Sequence, residues 1–243
     1  TAFSYEYTPT WLYDIQGVSV RRTLAMGWEI NTAAVRYEIT NRSGKPCRLT
    51  VDPFLKFAPK ETALEEEKDF THTPGKVCSG KYTMYIHTDL QEQTLPTHWQ
   101  TLRYDEDKKD GRPEKGIAAC CCRFTAEVAA GESATFQLVF STEETMPSAA
   151  EVIAAQEARL KTLENSVPFT DPVARQLVLA ADAYIARRDS TGGKTILAGY
   201  PLFSDWGRDT MIALSGCCLS AGRFEDAKSI LRTFLAYEKD GLV

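Results

Sequence analysis

The chain lacks any apolar run long enough to span a membrane, and its 28 Lys and Arg fall short of its 33 Asp and Glu. The first absence removes a transmembrane helix from these residues. The second leaves a net charge of -5, which offers no electrostatic case for nucleic acid or an anionic membrane surface as a partner. Histidine is scarce, three in 243 residues, and no C-x-x-C pair or histidine cluster completes a zinc site. Internal repeats and low-complexity stretches are also missing. The chain opens on Thr1 rather than Met, so the lack of a charged-then-apolar leader excludes nothing about targeting.

What is present is the composition of an ordinary globular protein, 43% hydrophobic and 25% charged, with room for one large domain or two smaller ones. The seven cysteines are Cys47, Cys78, Cys120, Cys121, Cys122, Cys217 and Cys218. An odd number in adjacent clusters makes a poor disulfide framework and points to a reducing compartment. Cys120-Cys121-Cys122 reads as buried small apolar side chains on a strand, Cys121 facing opposite to its two neighbours.

The hydrophobic period divides the chain. From Thr1 to about Thr142 it is two: Val35, Tyr37 and Ile39 alternate with polar residues, as do Cys47, Leu49 and Val51, and Phe136, Leu138 and Phe140. Turn chemistry separates these runs at Asn41–Pro46, Thr73–Lys76 and Ala130–Ser133. Short strands with one polar face predict an antiparallel β-sandwich. Lys60–Phe70 and Tyr104–Gly116 are too polar for core strands and read as solvated loops.

Beyond Pro147 the period becomes helical. Ser148 with Glu151 forms a capping-box signature for a helix to about Asn165. Asp171-Pro172 starts a second helix, whose stripe of Val173, Leu177, Ala180, Ala181, Tyr184 and Ile185 is expected to be buried. After a loop at Gly192-Gly193, a third helix over roughly Arg208–Ser220 is apolar on nearly all sides, as in a helix surrounded by others. A fourth carries Phe224, Ala227, Ile230, Leu231, Phe234 and Leu235 on one face. Such helices would expose a large apolar patch unless more chain or a partner covers them. The expectation is therefore a piece of a longer protein, with domains at 1–145 and 146–243.

Chemistry concentrates in residues 196–210, just ahead of the third helix. Arg208 offers a rigid fork of donors, Asp209 only acceptors, and Trp206 a flat apolar face. A sugar hydroxyl both donates and accepts, so an adjacent Arg and Asp can hold one ring while the indole covers its C–H face. Arg208 and Asp209 equally suit a structural ion pair at a helix N-terminus. Asp205 suits a loop acceptor more readily than a ligand contact, and Tyr200-Pro201 suits a rigid turn. His72, His87 and His98 read as surface or packing residues. Ser204 lacks the G-x-S-x-G frame of a serine hydrolase.

These residues carry a family resemblance. Lys194–Leu242, with Ala198-Gly199-Tyr200-Pro201, Trp206-Gly207-Arg208-Asp209-Thr210 and Gly222-Arg223 before Ala227-Lys228, resembles the start of the amylo-α-1,6-glucosidase domain of bacterial and archaeal glycogen debranching enzymes. Trp11–Met26, Val35-Arg36-Tyr37, Pro53-Phe54-Leu55 and the Trp99–Gly111 loop resemble, more loosely, that family's N-terminal β-sandwich. The sequence departs from the family pattern at Leu202, at Ser215 and around Phe57–Pro59.

The resemblance implies an N-terminal antiparallel β-sandwich followed by the first helices of an (α/α)6 toroid, truncated at both ends. It implies cytoplasmic hydrolysis of α-1,6-linked glucose at glycogen branch points, without a metal or other cofactor. Such chemistry uses one carboxylic acid on the glycosidic oxygen and one carboxylate handling water. The resemblance places that pair after Val243, so no catalytic residue is expected here and the piece alone is expected to be inactive. Arg208, Asp209, Trp206, Tyr200 and Asp205 are the expected glucose-binding residues. The alternative is a non-catalytic carbohydrate-binding or assembly module.

Overall fold

The computed structural model describes residues 1–58, 69–200 and 203–241. Most of the acidic stretch from Lys60, together with Pro59, Pro201, Leu202, Leu242 and Val243, lies outside the described residues. The chain divides into two compact units, Thr1–Glu157 and Ala158–Val243.

The first unit is a β-sandwich. Its strands are β1 (Ala2–Tyr5), β2 (Pro9–Ile15), β3 (Val18–Met26), β4 (Thr32–Asn41), β5 (Cys47–Val51), β6 (Thr71–Thr73), β7 (Lys76–Ser79), β8 (Tyr82–Thr88), β9 (Gln91–Arg103), β10 (Lys115–Val128) and β11 (Ser133–Ser141). They form an antiparallel eight-stranded sheet, β1-β2-β3-β4-β11-β8-β7-β6, and a three-stranded sheet, β5-β10-β9. The expected alternation is what joins the sheets. Tyr37, Phe136, Leu138 and Phe140 from the large sheet meet Leu49, Val51, Trp99 and Phe124 from the small one in a single core.

The large sheet's second face is not simply polar. On it, the small residues Ala25 and Ala34, with Val139, receive Ala149, Val152 and Ile153 of helix α2 (Ala149–Ser166). The capping box forms as expected: Ser148 N–H and hydroxyl donate to Glu151 Oε2 at 2.8 and 2.7 Å, and Glu151 N–H donates back to Ser148 Oγ at 3.3 Å.

Three expectations for this unit need correction. Phe70 is core rather than solvated loop, its ring edge-on to Trp99 at 5.3 Å. The Tyr104–Gly116 stretch contains a short helix, α1 (Asp105–Lys109), with three acidic residues in its first turn and two basic in its last, matched to the ends of the peptide dipole. Cys121 does not face away from Cys122, because a bulge interrupts the β9–β10 register between Cys120 and Cys122, opposite Pro96, and turns both thiols into the core. His72 is a packing residue, its buried ring bonded to Glu92 through Nε2 at 2.7 Å and to Thr94 through Nδ1 at 2.8 Å.

The second unit holds the rest of α2 and α3 (Pro172–Asp182), β12 (Ile185–Arg188), β13 (Gly193–Gly199), β14 (Phe203–Asp205), α4 (Gly207–Leu214) and α5 (Phe224–Leu235). A π-helical turn, Ser215–Leu219, follows α4 directly. The three-stranded sheet β12-β13-β14 occupies what the sequence suggested was a loop around Gly192-Gly193. Gly192, at φ 65°, makes the hairpin turn that joins β12 to β13.

The core collects Ile185 and Ile196 from this sheet with Leu214, Cys218, Ala227, Ile230 and Phe234 from the helices. Of the stripe expected to be buried, Ile185 alone is core, and it lies on β12 rather than α3; Ala181 is half-buried and the rest is exposed. Val173 and Leu177 are exposed, while Val178 and Asp182 are buried. Apolar spacing locates an apolar face, but here Val178 packs with Val167 and Ala221, and ion pairs hold Asp182 inside. Nor is α4 enclosed on all sides among the described residues, since Ile212 is 73% exposed.

A chain of alternating charges crosses this unit. Arg159 grips Asp182 with both guanidinium nitrogens at 3.1 and 2.7 Å, and Arg223 Nη1 reaches the same carboxylate at 2.6 Å. Arg223 continues to Asp226 Oδ2 at 2.7 Å, and Asp226 Oδ1 accepts from Lys194 Nζ at 2.7 Å. Desolvation by burial pushes the Asp226 carboxyl up, but the bonds and charges of Lys194 and Arg223 outweigh it and hold the group below its ordinary 3.8.

Two outcomes follow from this geometry. A Cβ on Gly193 would lie 2.5 Å from Thr233 Oγ1, a buried atom on α5. Gly193→Ala should therefore destabilise the protein by about 1–3 kcal/mol in urea unfolding, the range for overpacking. Most of the loss should disappear in a Thr233→Ala background, and an unchanged midpoint would refute the close approach. Because the folded Asp226 has the lower pKa, its contribution is complete above pH 3.8 and is lost as pH falls through the lowered value. Thermal melts should thus lose stability below about pH 4. Asp226→Asn should be less stable than wild type at neutral pH, with the gap narrowing on acidification.

Candidate functional site

The site residues are set by the small sheet and the helix that leaves it. β13 lies close against α5, where Lys194 N–H donates to Ser229 Oγ at 3.0 Å. β14 returns beside β13, with Leu197 opposite Asp205 and Gly199 opposite Phe203. Trp206, in extended conformation at φ -128° and ψ 132°, is the N-cap of α4, and its carbonyl accepts from Thr210 N–H at 2.9 Å. Thr210 is buried and its hydroxyl donates to Ile196 O at 3.3 Å, which fixes the first turn of α4 to β13.

From that turn, Arg208 and Asp209 project as exposed side chains, and the Trp206 ring is 56% exposed. Neither Arg208 nor Asp209 makes a hydrogen bond or ion pair with any described residue. The structural ion pair weighed from sequence is absent among the described residues. Adjacent positions on a helix point about 100° apart, so the two charges present separate groups to the solvent. Asp209 stands in the first turn, where exposed N–H groups favour a carboxylate. An uncommitted fork of donors, an uncommitted pair of acceptors and an open indole face are thus gathered over four residues.

Tyr200 and Asp205 are placed differently. The Tyr200 ring is also exposed and tilts against Tyr184 at 5.6 Å; desolvation and the neighbouring Tyr184 push its hydroxyl pKa up. Asp205 is committed: its Oδ2 accepts from the Thr195 hydroxyl at 2.8 Å and meets Arg188 Nη1 at 3.0 Å. Sequence reasoning missed Arg188 and Thr195. The Gly192-Gly193 pair between two short runs, itself a hairpin-turn signature, was the signal for the hairpin that places them.

All seven cysteines are free thiols. The hydrogen bond between Cys121 and Cys122 pulls the first thiol down and, with burial, pushes the second up. Burial pushes Cys120 up, and pushes Cys218 up to about 11 against the opposing charge of Arg223, so both are protonated thiols at neutral pH. Among the described residues no group of three or more His, Cys, Asp or Glu gathers as metal ligands, and no helix is long and apolar enough to cross a membrane.

Comparison with known proteins agrees with this division of the chain. A family model described as glycogen debranching enzyme N terminal matches residues 1–135, and one described as amylo-alpha-1,6-glucosidase matches residues 179–243. No curated protein matches the chain. The second match contains the whole of the Trp206–Asp209 site, and the first covers most of the sandwich, more than half of the chain. The chain belongs to the glycogen debranching enzyme family.

Proposed function

We propose that this chain is part of a glycoside hydrolase that removes α-1,6-linked glucose at the branch points of glycogen or a related α-glucan. The sandwich, 1–145, acts as the accessory domain, and 146–243 opens an (α/α)6 glucosidase domain. Arg208 and Asp209 hold the hydroxyls of the terminal glucose and Trp206 covers its C–H face, with Tyr200 and Asp205 at the same subsite. The uncommitted Arg208–Asp209 pair beside an open indole, inside the segment similar to amylo-α-1,6-glucosidase, carries this reading. Burial of these groups by sugar would strengthen their bonds, since charge-assisted contacts gain when water is excluded. The work of the site is therefore orientation: it presents the glycosidic bond to an acid and a base from elsewhere, neither assigned to this chain. Free thiols throughout suit a cytoplasmic setting.

Arg208→Ala and Asp209→Ala in the full-length gene product should each lower glucose release from a branched limit dextrin by about a hundredfold, the scale for lost positioning of a substrate. Near-normal release from either variant would remove its assignment. Full binding of the dextrin with no glucose release from the wild-type product would favour the non-catalytic module instead.

A further inference from the structure

We infer that Asp205 is a positioning residue, which works with Arg188 and Thr195 to set the direction of Trp206 and of the first turn of α4, and does not meet the sugar itself. The inference deepens the subsite reading above and rests on it for the identity of the ligand.

The geometry is that of a carboxylate anchored through one oxygen. Asp205 Oδ2 takes both the Thr195 hydroxyl and the Arg188 guanidinium, and its side chain is 16% exposed. Arg208 and Asp209, three and four residues on, have no partner among the described residues. The Arg188 guanidinium carbon also lies 4.8 Å from the centroid of the Tyr237 ring, and the Tyr237 hydroxyl is 3.2 Å from Ser190 Oγ. Arg188 is thus held on two sides, by an aromatic face beyond α5 and by a carboxylate at the end of β14. Thr195 is buried on the central strand, so the second bond ties Asp205 to the most enclosed part of the sheet. One peptide separates this anchor from Trp206. With Thr210 fixed to β13 on the other side, the Trp206–Asp209 segment is clamped at both ends while its own side chains remain unengaged.

With its charge met by Arg188 and its side chain only 16% exposed, Asp205 presents little of itself to a sugar. Its removal should act through the geometry of its neighbours. The cost should then be shared with Arg188, because residues acting through one contact give non-additive losses.

The test uses the full-length gene product labelled with 5-fluorotryptophan, the Trp206 resonance being assigned with Trp206→Phe. Without ligand, Asp205→Asn and Arg188→Met should each move the Trp206 line and leave those of Trp11, Trp28 and Trp99 in place. The double variant should move it no further. Thr195→Val should displace the line and Thr195→Ser, which keeps the hydroxyl, should restore it. Panose affinity should fall roughly tenfold in either single variant, the scale of one charge-assisted contact, with no further loss in the double.

An unmoved Trp206 line overturns the inference, as does a simultaneous shift of all the lines, which would mark general loss of structure. Additive losses of panose affinity overturn it too, because they would put Asp205 on the sugar. If panose leaves the wild-type Trp206 line unchanged, the sugar reading fails, and the ligand-free lines still decide the positioning role.

Discussion

Asp182 is a buried carboxylate at the end of α3, and two guanidinium groups converge on it, Arg159 from α2 and Arg223 from the start of α5. An ionised carboxylate removed from water without such partners is costly. The three elements must therefore meet in one arrangement or leave a charge stranded. Because Arg223 also holds Asp226, and Asp226 holds Lys194 at the start of β13, the constraint passes into the sheet that bears the site. Such a network adds little net stability over an apolar replacement. Its contribution is geometric, since it specifies where β13 begins relative to α5.

The placement of β13 then determines the surface that follows. Gly193 admits the Thr233 hydroxyl to a distance that a Cβ would not allow. Ile196 supplies both an apolar side chain to the core and a carbonyl to Thr210. From this strand the chain reaches β14 and α4, and the N-terminus of α4 emerges with its charged residues outward. The apolar core positions the helix, while the polar contacts at Lys194, Thr195 and Thr210 set its register.

Much of this was legible in the sequence where one local rule governs one element. The capping box at Ser148 and Glu151 and the Asp171-Pro172 start formed as read, because both depend on neighbours within four residues. The sandwich was legible from period two for the same reason. The strands of the hairpin β12–β13 were not legible because the first is only four residues long and Ile185-Ala186-Arg187-Arg188 carries no period-two alternation. The α3 stripe was misjudged because helical spacing says which face is apolar and nothing about which face its neighbours occupy. Of the site, Trp206, Arg208 and Asp209 were legible by residue type and proximity. The acceptor role of Asp205 was legible too, but its partners were not, since they lie 10 and 17 positions back along the chain.

The same residue types thus take opposite parts within a short stretch. Arg188 and Asp205 are engaged with each other, and Arg208 and Asp209 are open to solvent. An ion pair closed within the protein has already exchanged its hydration for a fixed partner and has little left to offer a ligand. An open pair retains its full hydrogen-bonding capacity and exchanges water for ligand at the moment of binding. Flexible open charges would lose affinity to the entropy of ordering them. Clamping the backbone on both sides, at Asp205 and at Thr210, removes that cost in advance while leaving the donors and acceptors unspent. Rigidity in the closed pair and availability in the open pair are therefore two halves of one arrangement, and the arrangement suits a ligand whose surface is itself a dense array of hydroxyls.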